Sequence, residues 1–346
     1  MTGNTGNTGN TGNTGNTGNA GINGDAGGGW FVPDRADFPF SLEVTGTGEE
    51  IGTLRRTVFI RDETSPGGTR TQLAFRASNT PTGRSLAFEN RSWAGRWYAY
   101  RVLRQFAVSA WDTDGLNNDL AGILLGLNQM ASGSVPPQTR QEIEFDDLVA
   151  MARNERASAL GEILAQDVEF ITTFMEALSI TPGSHPRTYR VLHAASLVGS
   201  YAALRFKEAF DRPRPSTLCP ALLPPLPVPG HSSFPSGHAT QSRLMARCVI
   251  YALRLADLPY SERRPVNATL KALARRVARN REIAGLHYPS DSIGGRRLAN
   301  AAFAVLSHHT GTGLDRKHYA LPAFGDAVIK AAREFNPDLV LPPDTP

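Results

Sequence analysis

Three short stretches of this sequence decide how the rest of it is interpreted. They are Lys207-Glu-Ala-Phe-Asp-Arg-Pro-Arg-Pro215, Pro235-Ser-Gly-His238 and Asn280-Arg-Glu-Ile-Ala-Gly-Leu-His-Tyr-Pro-Ser-Asp291, here called patches 1, 2 and 3. Each patch contains proline, which is tolerated in the first turn of a helix but disrupts a helix interior. The patches therefore predict polar side chains gathered at the ends of helices.

Patch 1 carries two cations at a helix end. Lys207 falls in the last turn of a predicted helix, and Pro213 and Pro215 force the chain out of that helix, so Arg214 stands on a stiff extended segment. Lysine supplies a point charge and arginine a planar fork, and together they suit the oxygens of a phosphate. The alternative for this patch alone is a solvated helix end, where the helix dipole also favours positive charge.

Patch 2 has the composition of an anion site at the start of a helix. We expect Pro235 to be the first helical residue, which leaves the next N–H groups without partners inside the helix. Gly237 lets an anion approach the backbone, Ser236 adds a hydroxyl donor, and His238 can exchange a proton near neutral pH. A plain turn with a helix cap is the alternative.

Patch 3 pairs a histidine with a carboxylate. Pro289 starts another predicted helix, which places His287 just before the positive end of that helix. Asp291 can accept the proton of one imidazole nitrogen and leave the other nitrogen free to attack. Arg281 can reach the same anion. For His287 taken alone, a purely structural histidine is the alternative.

Helical patterns dominate the chain around these patches. From residue 92 to 336, apolar residues recur at three-to-four spacing with charged residues opposite, which predicts an all-α bundle. The predicted helices are Trp97–Ala110, Gln141–Asn154, Ala157–Leu178, Arg187–Phe210, Ala239–Ala256, Asn267–Ala284, Pro289–His308 and Phe324–Glu334.

The segments on either side of the predicted bundle lack this helical pattern. Residues 30–91 predict a small β-rich or irregular N-terminal extension, with short strands at Ser41–Thr45, Leu54–Ile60 and Gln72–Arg76 between turn-forming residues. Residues 337–346 predict a proline-rich tail. The bundle, which carries all three patches, is therefore expected to hold the functional site.

The first 29 residues form a compositional segment of their own. Residues 2–19 are six Thr-Gly-Asn triplets, and glycine continues at every third position from Gly3 to Gly27. A strict Gly-x-y period is typical of collagen, but this stretch has no proline. It predicts a flexible tail, with trimerisation or surface attachment as the alternative.

Composition excludes several classes of protein. The chain of 346 residues is 40% hydrophobic with a net charge of +4, which is typical of a soluble globular protein and lacks the dense basic stripe of a nucleic-acid binder. Cys219 and Cys248 form neither a disulfide framework nor a zinc pattern. No apolar run of about 18 residues and no Sec-type signal is found, so we expect no transmembrane segment and favour the cytoplasm.

Taken together, the patches have the order Lys-x6-Arg-Pro, Pro-Ser-Gly-His, Arg-x5-His-x3-Asp. This order resembles the signature of the type 2 phosphatidic acid phosphatase (PAP2) superfamily, which also holds bacterial class A acid phosphatases and vanadium-dependent haloperoxidases. The resemblance is close over residues 207–291, and the flanking helices fit the family's bundle only by type. One departure is Asn280 before Arg281, where the family usually has serine, and we expect only a local adjustment.

The resemblance implies a phosphatase acting on small phosphate monoesters without a cofactor. In such an enzyme His287 attacks phosphorus and forms a phosphohistidine, His238 protonates the leaving alcohol and then activates water, and Asp291 orients His287. The resemblance assigns the binding of the anion's oxygens to five residues, namely Lys207, Arg214, Ser236, Gly237 and Arg281.

The alternative implied by the resemblance is a haloperoxidase, expected to oxidise bromide, with vanadate as its cofactor in the same pocket. His287 would then ligate vanadium, and His238 would assist peroxide binding. The stretch Pro229-Gly-His231 resembles the segment before Ser-Gly-His in bromide-oxidising members, which makes His231 a candidate on the halide side. A loop histidine in a turn is the plainer interpretation. Either enzyme would take a small anionic substrate. The sequence is also compatible with a homo-oligomer.

Overall fold

The structure is a computed structural model that describes residues 40–45, 57–62, 69–73 and 94–340, with the exception of residues 135 and 169. The Thr-Gly-Asn tail, the rest of the predicted extension and residues 341–346 lie outside the described residues. The predictions of a flexible N-terminal tail and of a proline-rich end at 341–346 therefore stay predictions.

A three-stranded antiparallel sheet forms in the N-terminal unit, which spans residues 27–92. Its strands follow the chain order and are Phe40–Thr45 (β1), Thr57–Asp62 (β2) and Thr69–Leu73 (β3). The register pairs Leu42 with Ile60 and Ile60 with Thr71. All three predicted strands overlap these elements, so the short strands of the extension are confirmed, with boundaries shifted by up to three residues.

The second unit is described from Ala94 onward and is built from helices. In chain order they are Gly95–Ala107 (α1), Asp114–Leu125 (α2), Arg140–Asn154 (α3), Arg156–Val168 (α4), Ile171–Ala177 (α5), Pro186–Phe210 (α6), Pro215–Leu218 (α7), Gly237–Leu255 (α8), Tyr260–Ile283 (α9), Pro289–Leu306 (α10) and Pro322–Phe335 (α11). Single turns of 3-10 helix lie at Gly126–Asn128, Pro220–Leu222 and Arg316–His318. None of the helices in the described part of the chain is both long and apolar enough to cross a bilayer.

Helices α6 and α8 form the centre of this unit. α1 and α11 pack on α6, whereas α9 and α10 pack on α8. Side chains such as Leu192 on α6, and Leu244 and Val249 on α8, are fully buried. Burial of each contributes about 1.5–3 kcal/mol. The predicted all-α helical bundle is confirmed, and strands β1 to β3 fall within the predicted N-terminal extension.

Several helix boundaries differ from the prediction. The helix α2 falls where none is predicted, and Thr113 caps it by accepting a hydrogen bond from the Leu116 N–H. The predicted helix Ala157–Leu178 is two helices, α4 and α5. α9 begins at Tyr260, seven residues before the predicted start at Asn267, and it runs through Pro265, which removes one helical hydrogen bond.

Two adjacent glycines allow α10 to approach the start of α8 closely. A Cβ added at Gly295 would lie 2.7 Å from the carbonyl oxygen of Ser236 and 2.9 Å from Cβ of Ala239. A Cβ added at Gly294 would lie 2.5 Å from the ring of Phe234. Only the absence of a side chain permits this contact, which brings patches 2 and 3 together.

We predict that Gly295→Ala lowers the free energy of unfolding by about 1–3 kcal/mol, because backbone of α8 must move to admit the methyl group. Gly161→Ala on α4 is the matched control, since a Cβ there meets nothing within 4 Å. The control should gain about 0.5–1 kcal/mol through helix propensity. Urea denaturation measures both, and a stabilised Gly295→Ala variant would show that the close approach is not tight.

Candidate active site

The three patches meet at a pocket with an empty volume of about 430 Å³. Its wall combines polar side chains of the patches with small and apolar residues of α6 and of the loop before α8. The lining residues are Ser200, Ala203, Leu204, Lys207, Arg214, Pro229, His231, Gly237, His238, Gln241, Arg281, Leu286 and His287. Two predicted site residues, Ser236 and Asp291, do not line the pocket and are buried behind it.

Backbone carbonyl groups fix the two cations of patch 1. Lys207 lies in the last turn of α6, as predicted, and its Nζ donates to the carbonyl oxygens of Ser232 at 2.6 Å and Ser233 at 2.9 Å. Arg214 is extended, as predicted, and its Nη1 donates to the Leu286 carbonyl at 2.8 Å. Carbonyl dipoles orient these cations without cancelling their charge.

Arg281 is the third buried cation and is held by the end of α4. Its Nη2 donates to the Ile163 carbonyl at 2.7 Å, and its Nη1 lies 3.5 Å from Oδ1 of Asp167. Only 1% of the residue is exposed, and its buried Nε has no hydrogen-bond partner in the described structure. An oxyanion in the pocket could supply that partner.

Burial disfavours the charged form of each of these cations. It lowers the pKa of Arg214 and of Arg281 to about 10. Burial, followed by the charge of Arg214, also lowers the pKa of Lys207 well below its usual value. Asp167 compensates part of the charge of Arg281, and a bound anion would compensate the charge that remains on the three groups.

The hydrogen bonds of His287 define its tautomer. Arg214 Nη1 lies 3.2 Å from Nε2 of His287, and an arginine has only donors, so Nε2 is the acceptor. Nδ1 then carries the proton and donates it to Oδ2 of Asp291 at 3.1 Å. Burial and the nearby Arg214 lower the pKa of His287 well below its usual value, so the ring is neutral. The predicted contact between Asp291 and His287 is present.

Asp291 is fully buried and contacts all three patches. Besides His287, its Oδ2 accepts the Tyr288 N–H at 3.0 Å, and its Oδ1 accepts Nη1 of Arg212 at 2.7 Å. Its carbonyl oxygen accepts the N–H of Ser236 at 3.0 Å. Although burial raises the pKa of Asp291, the bond from His287 and the charge of Arg212 bring it to about 2. The carboxylate is ionised across the neutral range.

Sequence reasoning missed Arg212 and Glu144. Arg212 bridges two buried carboxylates, because its Nη2 also donates to Oε2 of Glu144 at 3.1 Å. Its guanidinium lies 3.7 Å from the centre of the Tyr288 ring. Glu144, on α3, also accepts the N–H and the hydroxyl of Ser290 at 2.5 and 2.8 Å. Arg212 lies inside patch 1 and could have been singled out, whereas no local pattern marks Glu144.

His238 is positioned by α4 and by Phe170, the residue before α5. Its Nε2 lies 3.3 Å from the Gln166 carbonyl, and its ring stacks on Phe170 with centroids 5.1 Å apart. Burial, then the charge of Arg281, lowers the pKa of His238 well below its usual value. Asn280 donates to the side chain of Gln166 at 2.9 Å, so the unusual asparagine makes a local adjustment that ties α9 to α4.

Patch 2 differs from the prediction in two respects. Helix α8 begins at Gly237, and Ser236 rather than Pro235 precedes it as the cap. The prediction that Pro235 is the first helical residue is wrong, because the Ser236 hydroxyl satisfies the helix end by accepting the Ala239 N–H at 3.3 Å. The Ser236 side chain thus has a structural partner, while Gly237 reaches the pocket.

His231 also lines the pocket, beside Arg214. Nη2 of Arg214 and the carbonyl oxygen of Ser232 lie 2.9 and 3.2 Å from Nδ1 of His231, so both contacts of the ring are at Nδ1 rather than at Nε2. That buried Nε2 has no partner among the described residues. Burial, with the charges of Lys207 and Arg214, lowers the pKa of His231 to about 4.

No group of three or more His, Cys, Asp and Glu side chains in the described chain could hold a metal ion, and Cys219 and Cys248 are free thiols.

Comparison with known proteins agrees with the predicted family. Residues 190–313 match the model of the PAP2 superfamily. No curated protein matches the chain. Among solved structures, one match is that of a transmembrane PAP2-type phosphatidylglycerolphosphate phosphatase from Bacillus subtilis. Its identity to this chain is 16% and its TM-score is 0.29, with coverage of 61% of this chain and 92% of that one. The matched segment carries all three patches, and the predicted resemblance to the PAP2 superfamily is therefore confirmed over this segment.

Proposed function

We propose that this chain is a phosphatase that hydrolyses small phosphate monoesters through a phosphohistidine on His287. The observation that carries the proposal is the state of His287, which lines a pocket with three buried cations and whose Nε2 is unprotonated. Asp291 fixes this tautomer through Nδ1. A neutral, oriented imidazole in a cationic pocket has the properties of a nucleophile toward a phosphate ester.

Substrate binding is assigned to Lys207, Arg214 and Arg281. Their formal charge of three opposes the one or two negative charges of a phosphate monoester. Arg214 would turn its Nη1 from His287 to a phosphate oxygen, which releases the Nε2 lone pair. The N–H of Gly237, at the start of α8, would donate to another oxygen, with the dipole of that helix favouring the anion.

In the first chemical step, Nε2 of His287 forms a bond to phosphorus and the bond from phosphorus to the ester oxygen breaks. The leaving oxygen takes a proton from His238. The bound dianion favours the protonated form of His238, in opposition to the burial that lowers the pKa of this residue in the free pocket. The imidazolium formed on His287 is stabilised by the ionised Asp291.

In the second step, water attacks phosphorus and its proton passes to His238, which now acts as a base. The bond between phosphorus and Nε2 breaks, which returns His287 to its neutral form and releases phosphate. Because Phe170 and the Gln166 carbonyl hold the ring of His238, the same group can serve both steps. The buried cations would stabilise the negative charge that spreads over the oxygens in each transition state.

A vanadium-dependent haloperoxidase is the second candidate, and the position of His231 favours it. His231 lines the pocket and has an unpartnered Nε2. The residues present also fit vanadate, because Nε2 of His287 can act as a ligand while the three cations hold its oxygens. Bound vanadate would supply peroxide activation. His231 would then lie on the halide side, and His238 would exchange protons with peroxide.

We predict that His287→Ala reduces the hydrolysis of an aryl phosphate at least about a thousandfold, because the nucleophile is removed. Orthovanadate should inhibit the wild-type enzyme. The control His318→Ala removes a half-exposed histidine outside the pocket and should retain full activity. Circular dichroism checks that both variants fold. Vanadate-dependent bromide oxidation with hydrogen peroxide, without hydrolysis, would instead establish the haloperoxidase.

We predict that Arg212→Lys lowers kcat by about ten- to a hundredfold, with little change in KM. Arg212 does not line the pocket, but a lysine cannot bridge Asp291 and Glu144 with one planar fork. Weaker pairing raises the pKa of Asp291, which must be ionised to orient His287. The acid limb of the pH profile should therefore move to higher pH.

The control for this prediction is Arg279→Lys, which alters an arginine that also contacts two carboxylates, those of Glu155 and Glu282, at a half-exposed site. Its kcat and pH profile should be those of the wild type. A normal kcat for Arg212→Lys, or a change confined to KM, would show that Arg212 does not position the nucleophile.

A further inference from the structure

A second concave region lies among α8, α9 and α10 and shares no lining residue with the active-site pocket. Its empty volume is about 960 Å³. We call it the basic groove and define it by Arg243, Arg247, Arg254, Lys271, Phe303 and His309. The proposed phosphatase activity gives this groove no role.

The charges of the basic groove are of one sign. Four of its lining residues are cations, and none is aspartate or glutamate. Within the described chain, no ion pair joins any of the four to a carboxylate, although Arg276 and Arg279 on α9 are both paired. Uncompensated charges of like sign repel one another, so a groove that gathers them is suited to an anion.

Neutral groups hold two of these arginines in place. Nε of Arg243 and Nη1 of Arg247 both donate to Oδ1 of Asn300, at 3.4 and 2.5 Å. The guanidinium of Arg247 also lies 4.3 Å from the centre of the Phe303 ring. Burial, then the charges of Arg247 and Arg296, lowers the pKa of Arg243. The guanidinium groups are thus oriented while their charge stays available.

The spacing of the cations indicates how many charges the ligand carries. Arg243, Arg247 and Arg254 are four and seven residues apart on α8, so they share one face of that helix and span about 16 Å along it. Lys271 faces them from α9. His309, whose buried Nδ1 has no described partner, adds a further polar group. A single phosphate would contact only part of this row.

We propose that the basic groove binds a soluble anion with two or more phosphate groups, at a site separate from the active-site pocket. Arginine forks recognise phosphate oxygens in pairs, and two adjacent forks suit two linked phosphates. The groove is concave, so a flat lipid surface would meet its rim rather than its floor.

The experiment is isothermal titration of the full chain with methylenebisphosphonate, a diphosphate analogue that cannot be hydrolysed. The variant R243Q/R247Q should bind it at least tenfold more weakly than the wild type. The control R104Q/R153Q removes the same charge from two exposed arginines on α1 and α3 and should bind like the wild type. Both variants should hydrolyse an aryl phosphate at a rate within twofold of the wild type, which shows that they fold.

Orthophosphate should bind the basic groove at least tenfold more weakly than the bisphosphonate. Equal affinity of the wild type and R243Q/R247Q would overturn the proposal, and so would an equal loss in both double variants. Vesicles of phosphatidylglycerol that bind through the same arginines, when the bisphosphonate does not, would reassign the groove to a membrane surface. Failure of aryl phosphate hydrolysis in the wild type would refute the proposed function and leave this binding test intact.

Discussion

The carboxylate of Asp291 is the group on which the active-site pocket depends. It receives hydrogen bonds from His287 and Arg212, and its backbone carbonyl receives one from Ser236. One residue thus joins the three patches, which are separated by up to 84 positions in sequence between Lys207 and Asp291. Because Asp291 is fully buried and ionised, each of its partners must be present for the charge to be tolerated.

The pocket contains more positive charge than its own residues compensate. Asp291 is paired with Arg212 behind the pocket, while Lys207, Arg214 and Arg281 are oriented mainly by carbonyl oxygens. Carbonyl dipoles orient these cations, and with Asp167 pairing only Arg281, much of the charge is left for the ligand. A preorganised pocket of this kind strengthens the binding of charge that develops in a transition state. The same demand for an anion would serve phosphate or vanadate.

Much of this arrangement could be predicted from local sequence. Proline rules placed Arg214 on an extended segment and began a helix at Pro289, and the four-residue spacing predicted the contact between His287 and Asp291. The cap of α8 was misplaced because Pro235 and Ser236 both occur at helix starts. Local sequence is compatible with either residue as the helix start. The hydrogen bond from the Ser236 N–H to the carbonyl oxygen of Asp291, between distant segments, selects the serine as the cap.

Other features depend on contacts between distant segments and could not be predicted from local patterns. Glu144 lies on α3, 146 positions before Ser290, and an isolated glutamate in an amphipathic helix usually faces solvent. The contacts that position His238 are equally hard to predict, because a backbone carbonyl group such as that of Gln166 leaves no signal in the sequence. The close approach at Gly295 becomes visible only when α8 lies against it. The sequence thus indicated which polar side chains gather at the pocket, while packing determined which other residues hold them in place.

The most direct test of the account is the position of a trapped phosphoryl group. A His238→Asn variant given an aryl phosphate with a good leaving group should complete the first step but lack the base for the second. Mass spectrometry with phosphorus NMR should then find phosphate on His287, bonded through Nε2, because Asp291 holds the proton on Nδ1. Phosphate on Nδ1 of His287, or on any other residue, would contradict the central claim that the buried carboxylate sets the nucleophile.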